Sequence, residues 1–394
     1  MQERRTAAPA ILAITALLVT GLAAAPATSA AEPNAARCRL PAATDDLGSG
    51  FPVDDQALPA VGTLRAAMVF VDFADHPAPR GSLRGAEANL RSGVEYLEDL
   101  SGGELDIEVT GSDTWVRMPE PSTSYPFDRG LSYEDHVRYI GDAVEAADDG
   151  FDFSNTDVVW VVATEEAENI SFSPTTNHLD VTADGNHLTH AVTFGYDQWR
   201  WGGLVLAHET GHTLGLPDLY LFEAPPDDPT NWHAAVGGWD LMGLISGQAP
   251  EYFAWQRWQL GWLEDRQVVC APARGSTTAT LVPVEESTTT ARPSDDATLV
   301  LPLSATRAVV VENRQAIGYD REILTPGALV HTVDTSVRTG RGPIRVVDAT
   351  PGSPDGLDDA PFWPGTSWTE PSTGAVLTFE RARGDDLRVT VDPS

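Results

Sequence analysis

In the first two thirds of the chain, segments with the apolar pattern of a strand alternate with segments with the apolar pattern of a helix. A compact apolar run at residues 66–73 has the length of a strand, and residues 83–100 then repeat apolar side chains every three or four positions, as a helix does. A strand-like alternation at residues 105–110, a second helical repeat at residues 133–147 and a continuous apolar run at residues 158–162 follow. This order predicts an α/β (α+β) domain with a mixed sheet.

The pattern changes after Trp262. Helical spacing largely disappears, and short β-rich runs follow at fairly even intervals, separated by Gly, Pro, Asp and Thr. We therefore predict a smaller all-β, sandwich-like domain at residues 266–394, after a larger domain at residues 61–265. Residues 31–60 are rich in Ala, Pro, Asp and Gly with little periodicity, and they are interpreted as a lead-in or a short pro-segment.

The first thirty residues have the pattern of an export signal. Arg4 and Arg5 precede an apolar run at residues 10–25, and small residues around Ala30 suit a signal peptidase. The run is too short for a membrane span, so no stable membrane anchor is expected. We predict a bacterial-type signal peptide at residues 1–30 and a secreted, extracellular protein.

Charge narrows the classes of partner. The chain of 394 residues has a formal net charge of −33, and all of its basic side chains except histidine are arginines. Such an acidic surface argues against binding to nucleic acid or to an anionic membrane. The expected partners are protein or peptide substrates, and the chain is expected to be a monomer.

Candidate chemistry is concentrated at residues 208–218, H-E-T-G-H-T-L-G-L-P-D. On a helix, His208 and His212 project from one face and can hold one metal ion. Glu209 can then reach a water on that ion without being a ligand. Gly215 is expected to end the helix, and the proline that follows turns the chain back so that it presents Asp218.

Two histidines and one carboxylate favour a catalytic zinc site over a structural one. Structural zinc sites are closed by four protein ligands and are often rich in cysteine, whereas catalytic sites keep a position for water. We therefore predict one Zn²⁺ held by His208, His212 and Asp218. Glu209 would act as the general base in hydrolysis of a peptide bond.

The stretch from Gly215 onward looks like the metzincin extension H-E-x-x-H-x-x-G-x-x-H, with Asp218 where the third histidine stands. Metzincins also have a methionine turn beneath the metal, and Met242 in G-W-D-L-M-G looks like that turn. Ordinary core packing is the alternative for this methionine. In thermolysin-like enzymes the third ligand is a later glutamate, but Glu223 and Glu251 are poorly spaced for that role.

Residues 208–220 and the W-D-L-M-G segment together resemble the immune inhibitor A family of secreted bacterial metallopeptidases. Further similar stretches lie at residues 68–73, 96–105, 255–262, 311–314 and 327–331. The resemblance spans roughly residues 64–335 and implies a zinc endopeptidase with the ligands and base named above. The chain departs from the family in its short lead-in.

The two cysteines, Cys38 and Cys270, allow two interpretations. In an exported protein, two cysteines far apart in the sequence most simply form one disulfide. In the alternative, the Cys38 thiolate caps the zinc of a latent precursor, which would leave Cys270 unpaired.

The remaining polar candidates are less specific. Residues 187–194 alternate and predict an edge strand beside the active site, on which His187 and His190 would contact substrate or simply lie at the surface. His233 is a candidate for stabilising the oxyanion. Acidic turns at residues 227–228 and 355–359 are compatible with Ca²⁺, although no clear calcium motif supports it and solvated loops are the simpler interpretation.

A second function class competes with the peptidase. The chain could instead be a non-catalytic surface or ligand-binding protein that works through its C-terminal β domain, with an inactive peptidase relic beside it. The intact Glu209 favours the enzyme, because a relic has no need to keep its base.

Overall fold

A computed structural model describes residues 34–272, 274–288 and 295–394. The predicted signal peptide and the first three residues of the lead-in lie outside the described residues. The α-helices are α1 (Leu83–Leu100), α2 (Tyr133–Ala147), α3 (Gln198–Trp201), α4 (Gly203–Thr213) and α5 (Ala254–Gln259). In the described part of the chain, no helix has both the length and the apolar character needed to cross a lipid bilayer.

The strands of the first half are β1 (Gly62–Asp72), β2 (Leu105–Gly111), β3 (Val116–Arg117), β4 (Val158–Ala163), β5 (Thr175–Thr176), β6 (Val181–Ala183), β7 (Asn186–Leu188) and β8 (Ala191–Phe194). Those of the second half are β9 (Val268–Cys270), β10 (Thr277–Leu281), β11 (Thr298–Pro302), β12 (Arg307–Arg314), β13 (Gly327–Asp334), β14 (Ile344–Val346), β15 (Ser367–Thr369), β16 (Val376–Arg381) and β17 (Leu387–Asp392).

The first sheet has the order β2-β1-β4-β8-β5, and β3 also pairs with β1. All pairs are parallel except β8 with β5, so the sheet is mixed. Every residue of β4 is buried because alternate side chains enter two cores. Trp160 packs with residues of α1 and α4, whereas Val161 packs with residues of α2. This confirms the predicted mixed α+β architecture.

Helices α1 and α4 cross at two glycines. A Cβ atom on Gly93 would lie 2.1 Å from the carbonyl oxygen of Gly203, so only glycine fits at this crossing. The close approach brings α4 against α1 on one face of the sheet.

The edge strand was predicted incorrectly. Residues 187–194 do not form one strand: β7 pairs with β6 in a separate two-stranded sheet, and β8 lies between β4 and β5. The break falls at His190, whose Nε2 lies 2.7 Å from the carbonyl oxygen of Gln56 in the lead-in. The edge beside α4 is instead β5, which is only two residues long.

The second half contains two sheets, ordered β14-β13-β12-β11-β9 and β10-β17-β16-β15. They share one core, to which β12 contributes Val311 and β16 contributes Phe379, so they form a sandwich. The opposite face of β12 contributes Val310 to the large core that also holds Trp255. The described residues form one compact unit, and a domain boundary at residue 265 stays a prediction.

Cys38 and Cys270 form a disulfide with a Cα–Cα distance of 5.8 Å. The predicted bond is confirmed, and the alternative in which Cys38 caps a metal is wrong because its sulfur is already bonded. The described part of the lead-in packs into the core: the Trp255 indole N–H donates to the carbonyl oxygen of Ser49 at 2.8 Å, and the Phe51 ring lies 4.6 Å from that of Trp258.

Candidate metal centre

Helix α4 ends in a Schellman motif at the predicted glycine. Gly215 has φ of 95°, its N–H donates to the carbonyl of His212 at 3.1 Å, and the N–H of Leu216 donates to that of Gly211 at 2.9 Å. The chain then reverses, and the Leu219 N–H donates to the Met242 carbonyl at 2.9 Å. Asp218 therefore returns to the face of α4 that carries the two histidines.

Three potential ligand atoms converge beside α4. Oδ1 of Asp218 lies 3.3 Å from Nε2 of His208 and 3.2 Å from Nε2 of His212. Donor atoms bound at about 2.0–2.1 Å around a tetrahedral zinc lie about 3.3 Å apart. The spacing of these donor atoms fits that of a zinc site. In the described part of the chain, His208, His212 and Asp218 form the group of potential ligands whose donor atoms all lie within 4.8 Å of one another.

The other ring nitrogen of each histidine is held by the backbone. Nδ1 of His208 lies 3.0 Å from the carbonyl oxygen of Leu241, and Nδ1 of His212 lies 2.8 Å from that of Leu216. A carbonyl only accepts, so each Nδ1 carries the proton and donates it. Both Nε2 lone pairs are then free to bind a metal, which is the arrangement of histidine ligands in metal sites.

Oδ1 of Asp218 is buried and has no hydrogen-bond partner among the residues that the structure describes. Without a cation, this anionic oxygen would face two nitrogen lone pairs. Burial opposes charge in the cluster, but the Asp218 carboxylate raises the pKa of His212 to about 9, and the two histidines hold the pKa of Asp218 well below its usual range. The cluster therefore favours a positive charge at its centre, as a proton or as a metal ion.

Glu209 is buried next to this cluster. Its Oε2 accepts a hydrogen bond of 2.7 Å from the hydroxyl of Thr175, whose hydroxyl also lies 3.1 Å from the Glu209 carbonyl oxygen. Burial raises the pKa of the Glu209 carboxyl, and the two histidines and Thr175 oppose that shift. The edge strand β5 therefore fixes the orientation of the predicted base.

Met242 lies beneath α4. A Cβ atom on Gly211 would lie 3.0 Å from its Sδ and 2.8 Å from the hydroxyl oxygen of Tyr252, so the middle position of H-E-T-G-H must stay small. The methionine is fully buried, and its N–H donates to Oδ1 of Asp240 at 2.7 Å. This placement agrees with a floor under the histidines, and the name methionine turn stays a prediction.

The other predicted histidines are spread over the molecule. His233 donates from Nδ1 to the Gly243 carbonyl at 2.7 Å, and its ring lies 6.3 Å from that of Tyr220 near the cluster. His187 is exposed, 3.8 Å from Asp180, and His190 is bound to the lead-in. Neither His187 nor His190 is brought to the candidate metal ligands.

Three residues at the site have no role in the sequence-based prediction. They are Thr175, Asn177, which donates to the His212 carbonyl at 2.9 Å, and Tyr220, whose ring is stacked 6.5 Å from that of His208. Only Tyr220 carried a signal, because it lies in the motif two positions after Asp218.

Comparisons with known proteins find little. No protein-family model matches the sequence, and no curated protein does. Among solved structures, the chain is similar to the crystal structure of metalloproteinase-II from Bacteroides fragilis at 15% identity and a TM-score of 0.28. The similar part covers 56% of this chain and 59% of that one, so the chain spans less than two thirds of that protein. The assignment of the site rests on its own geometry.

Proposed function

We propose that the chain is a secreted, zinc-dependent endopeptidase. The observation that carries the proposal is the convergence of three buried donor atoms, two of them imidazole nitrogens whose partner nitrogens donate to carbonyls. Two nitrogen donors and one carboxylate suit Zn²⁺ better than Ca²⁺ or Mg²⁺, which prefer oxygen ligands. His208, His212 and Asp218 would hold the ion.

The chemistry divides between the ion and Glu209. A zinc ion bound there would act as a Lewis acid toward a peptide carbonyl and would lower the pKa of a bound water toward ~7. The Glu209 carboxylate takes the proton of the attacking water and delivers it to the leaving amine nitrogen. Thr175 donates to Oε2 of Glu209, which keeps that carboxylate oriented while the proton moves.

Two features support action outside the cell. The Cys38–Cys270 disulfide suits an oxidising compartment, and the first thirty residues have the pattern of an export signal. The net charge of −33 favours protein over nucleic acid as substrate.

The test is digestion of casein by the purified chain before and after metal removal. We expect about one zinc per chain by mass spectrometry of metals, loss of cleavage with a chelator, and recovery on adding Zn²⁺. Asp218→Ala should lose zinc, whereas Asp180→Ala, at an exposed aspartate, should keep it. Cleavage that survives complete metal removal, or an Asp218→Ala variant with full zinc content, would refute the proposal.

A further inference from the structure

The lead-in contacts the end of the helix that carries two of the candidate ligands. The N–H of Leu58 donates to the carbonyl oxygen of Thr213 at 2.8 Å, and Thr213 is the last residue of α4, directly after His212. The last carbonyl groups of a helix have no partner within it, so donors from elsewhere must satisfy them. A segment that is distant in the sequence therefore completes the end of the helix that holds both histidines.

The same segment packs on the turn that follows α4. A Cβ atom on Gly215 would lie 2.9 Å from Cγ1 of Val53 and 3.1 Å from Cβ of Ala57, so a side chain at this position would displace the lead-in. Gly215 begins the reversal of the chain that presents Asp218. The lead-in therefore covers the part of the chain that joins the second candidate ligand to the third.

The lead-in reaches Asp218 by another route as well. Its Leu47 carbonyl accepts the N–H of Thr339 at 2.8 Å, and the Thr339 hydroxyl accepts the N–H of Asp218 at 2.9 Å. Two hydrogen bonds thus join the lead-in to the backbone of the third candidate ligand. Together with the contacts at the end of α4, they place the lead-in against both segments that hold the three ligands.

His190 ties this part of the lead-in to the first sheet. Its Nε2 lies 2.7 Å from the carbonyl oxygen of Gln56, and since a carbonyl only accepts, Nε2 carries the proton and donates it. The His190 side chain is buried, so an apolar replacement would leave this carbonyl without its donor. Gln56 lies between Val53 and Leu58 in the chain, and the bond therefore holds the stretch that contacts α4.

We propose that residues 34–60 are a permanent support of the candidate metal centre, not a pro-segment that is removed for activation, and that His190 is a positioning residue for this support. The inference rests on the proposed peptidase function and adds how its site is regulated. Contacts that orient the ligands raise metal affinity, because less order is then lost when the ion binds. Removal of the lead-in would release zinc, so proteolysis within it inactivates the enzyme.

Zinc affinity tests the support without any need for peptidase activity. His190→Phe removes the donor to the Gln56 carbonyl, and we expect it to raise the Kd for Zn²⁺ by at least about tenfold in competition with a coloured chelator. His190→Gln has a side-chain amide that can still donate, so it should bind zinc more tightly than His190→Phe. His187→Phe, at an exposed histidine, is the matched control and should keep the wild-type affinity.

Hydrogen exchange tests the same coupling in wild type, where no substitution can disturb folding. Coupling between two sites is reciprocal, so zinc should hold the lead-in in place if the lead-in favours zinc. We expect the Leu58 amide to exchange at least about tenfold more slowly in the zinc-loaded chain than in the metal-free chain. The Gly374 amide, which donates to the Glu370 carbonyl at 2.8 Å in the turn between β15 and β16, is the control and should exchange equally in both.

The outcomes separate the support from the peptidase. Equal zinc affinity in a folded His190→Phe variant, or Leu58 exchange that zinc does not slow, would overturn the support and leave the proposed function intact. The intact mass of the active enzyme should include residues 34–60, and an active form without them would also overturn the support. A zinc-loaded wild type that cleaves no peptide would refute the peptidase, while zinc affinity and exchange would still decide the role of the lead-in.

Discussion

The Nδ1 atom of His208 donates to the carbonyl oxygen of Leu241 across 3.0 Å. Leu241 lies in the chain between Asp240 and Met242, and the Asp240 carboxylate holds Met242 and the more distant Phe253 in position. Asp240 accepts the N–H of Met242 and the N–H of Phe253 through its two oxygens, each at 2.7 Å. The orientation of the His208 imidazole, a proposed metal ligand, therefore depends on the side chain of Asp240, which is not itself one of the proposed ligands.

Asp240→Asn should weaken zinc binding. The amide keeps one acceptor oxygen and turns an NH₂ group toward the other backbone N–H, so the loop that carries the Leu241 carbonyl shifts. Loss of such a supporting contact typically costs 10- to 100-fold in metal affinity, and we expect a rise of that size in the Kd for Zn²⁺.

Competition with a coloured chelator measures this Kd directly. Glu370→Gln is the matched control, because Glu370 is a buried carboxylate that also accepts backbone N–H groups, from Ser372 and Thr373, away from the candidate site. Equal zinc affinity in Asp240→Asn and wild type would show that Leu241 is positioned by other contacts.

Glu209→Gln should abolish most catalysis while leaving the metal in place. The amide cannot accept a proton, and a general base of this kind contributes about 10²- to 10⁴-fold to the rate. We expect kcat to fall by that factor at unchanged zinc content, with Glu166→Gln, at an exposed glutamate, as the control. Thr175→Val should lower kcat less, because it only frees the carboxylate to rotate. A Glu209→Gln enzyme with wild-type kcat would assign the base elsewhere.

Removal of the disulfide should destabilise the fold. It joins residues 232 positions apart, and a cross-link over so long a loop restricts the unfolded chain strongly. Cys38→Ser combined with Cys270→Ser should lower the free energy of unfolding by about 3–5 kcal/mol. Urea unfolding of both proteins tests this, and wild type in reducing buffer should match the variant. A difference below about 1 kcal/mol would mean that the reduced, unfolded chain is already compact.

His331 should make stability depend on acidity. It is buried, its ring lies 4.4 Å from that of Phe253, and neither ring nitrogen has a hydrogen-bond partner within the described ranges. Burial lowers its pKa to about 4. The stability that the neutral ring contributes is complete above the pKa of about 6.5 in the unfolded chain and is lost as pH falls toward 4.

Between pH 7 and pH 4.5, the free energy of unfolding should therefore fall by about 2–3 kcal/mol less in His331→Leu than in wild type. Urea unfolding of the metal-free proteins at both pH values measures the difference. His187→Leu, at an exposed histidine, should follow wild type. An equal fall in the free energy of unfolding for His331→Leu and wild type would mean that His331 accepts a proton as readily in the folded state as in the unfolded chain.

Much of the fold and part of the site could be predicted from local pattern. Residues 158–162 are continuously apolar because β4 is covered on both faces, and that signal does not depend on distant residues. Gly215 predicted the end of α4 because its left-handed conformation is a local requirement. The cysteine count predicted the Cys38–Cys270 bond because only one intramolecular pairing exists.

The missed contacts depend on tertiary structure. Thr175 lies 34 residues before Glu209 on a strand of two residues, which is too short for any periodic signal. The Leu241 carbonyl is a backbone atom, so its residue type gives no hint of its role. The alternation at residues 187–194 predicts one edge strand because periodicity does not reveal that the chain passes from one sheet into another between Leu188 and Ala191.

The positions of the two cysteines of the disulfide also set the order in which they appear during synthesis. Cys38 leaves the ribosome 232 residues before Cys270, an interval of roughly 10–50 s at about 5–20 residues per second. Throughout that time it is a thiol with no partner in its own chain, since the sequence holds only two cysteines. Scrambling within one molecule is therefore excluded for this sequence, and any mispairing of Cys38 must be with a thiol of another molecule.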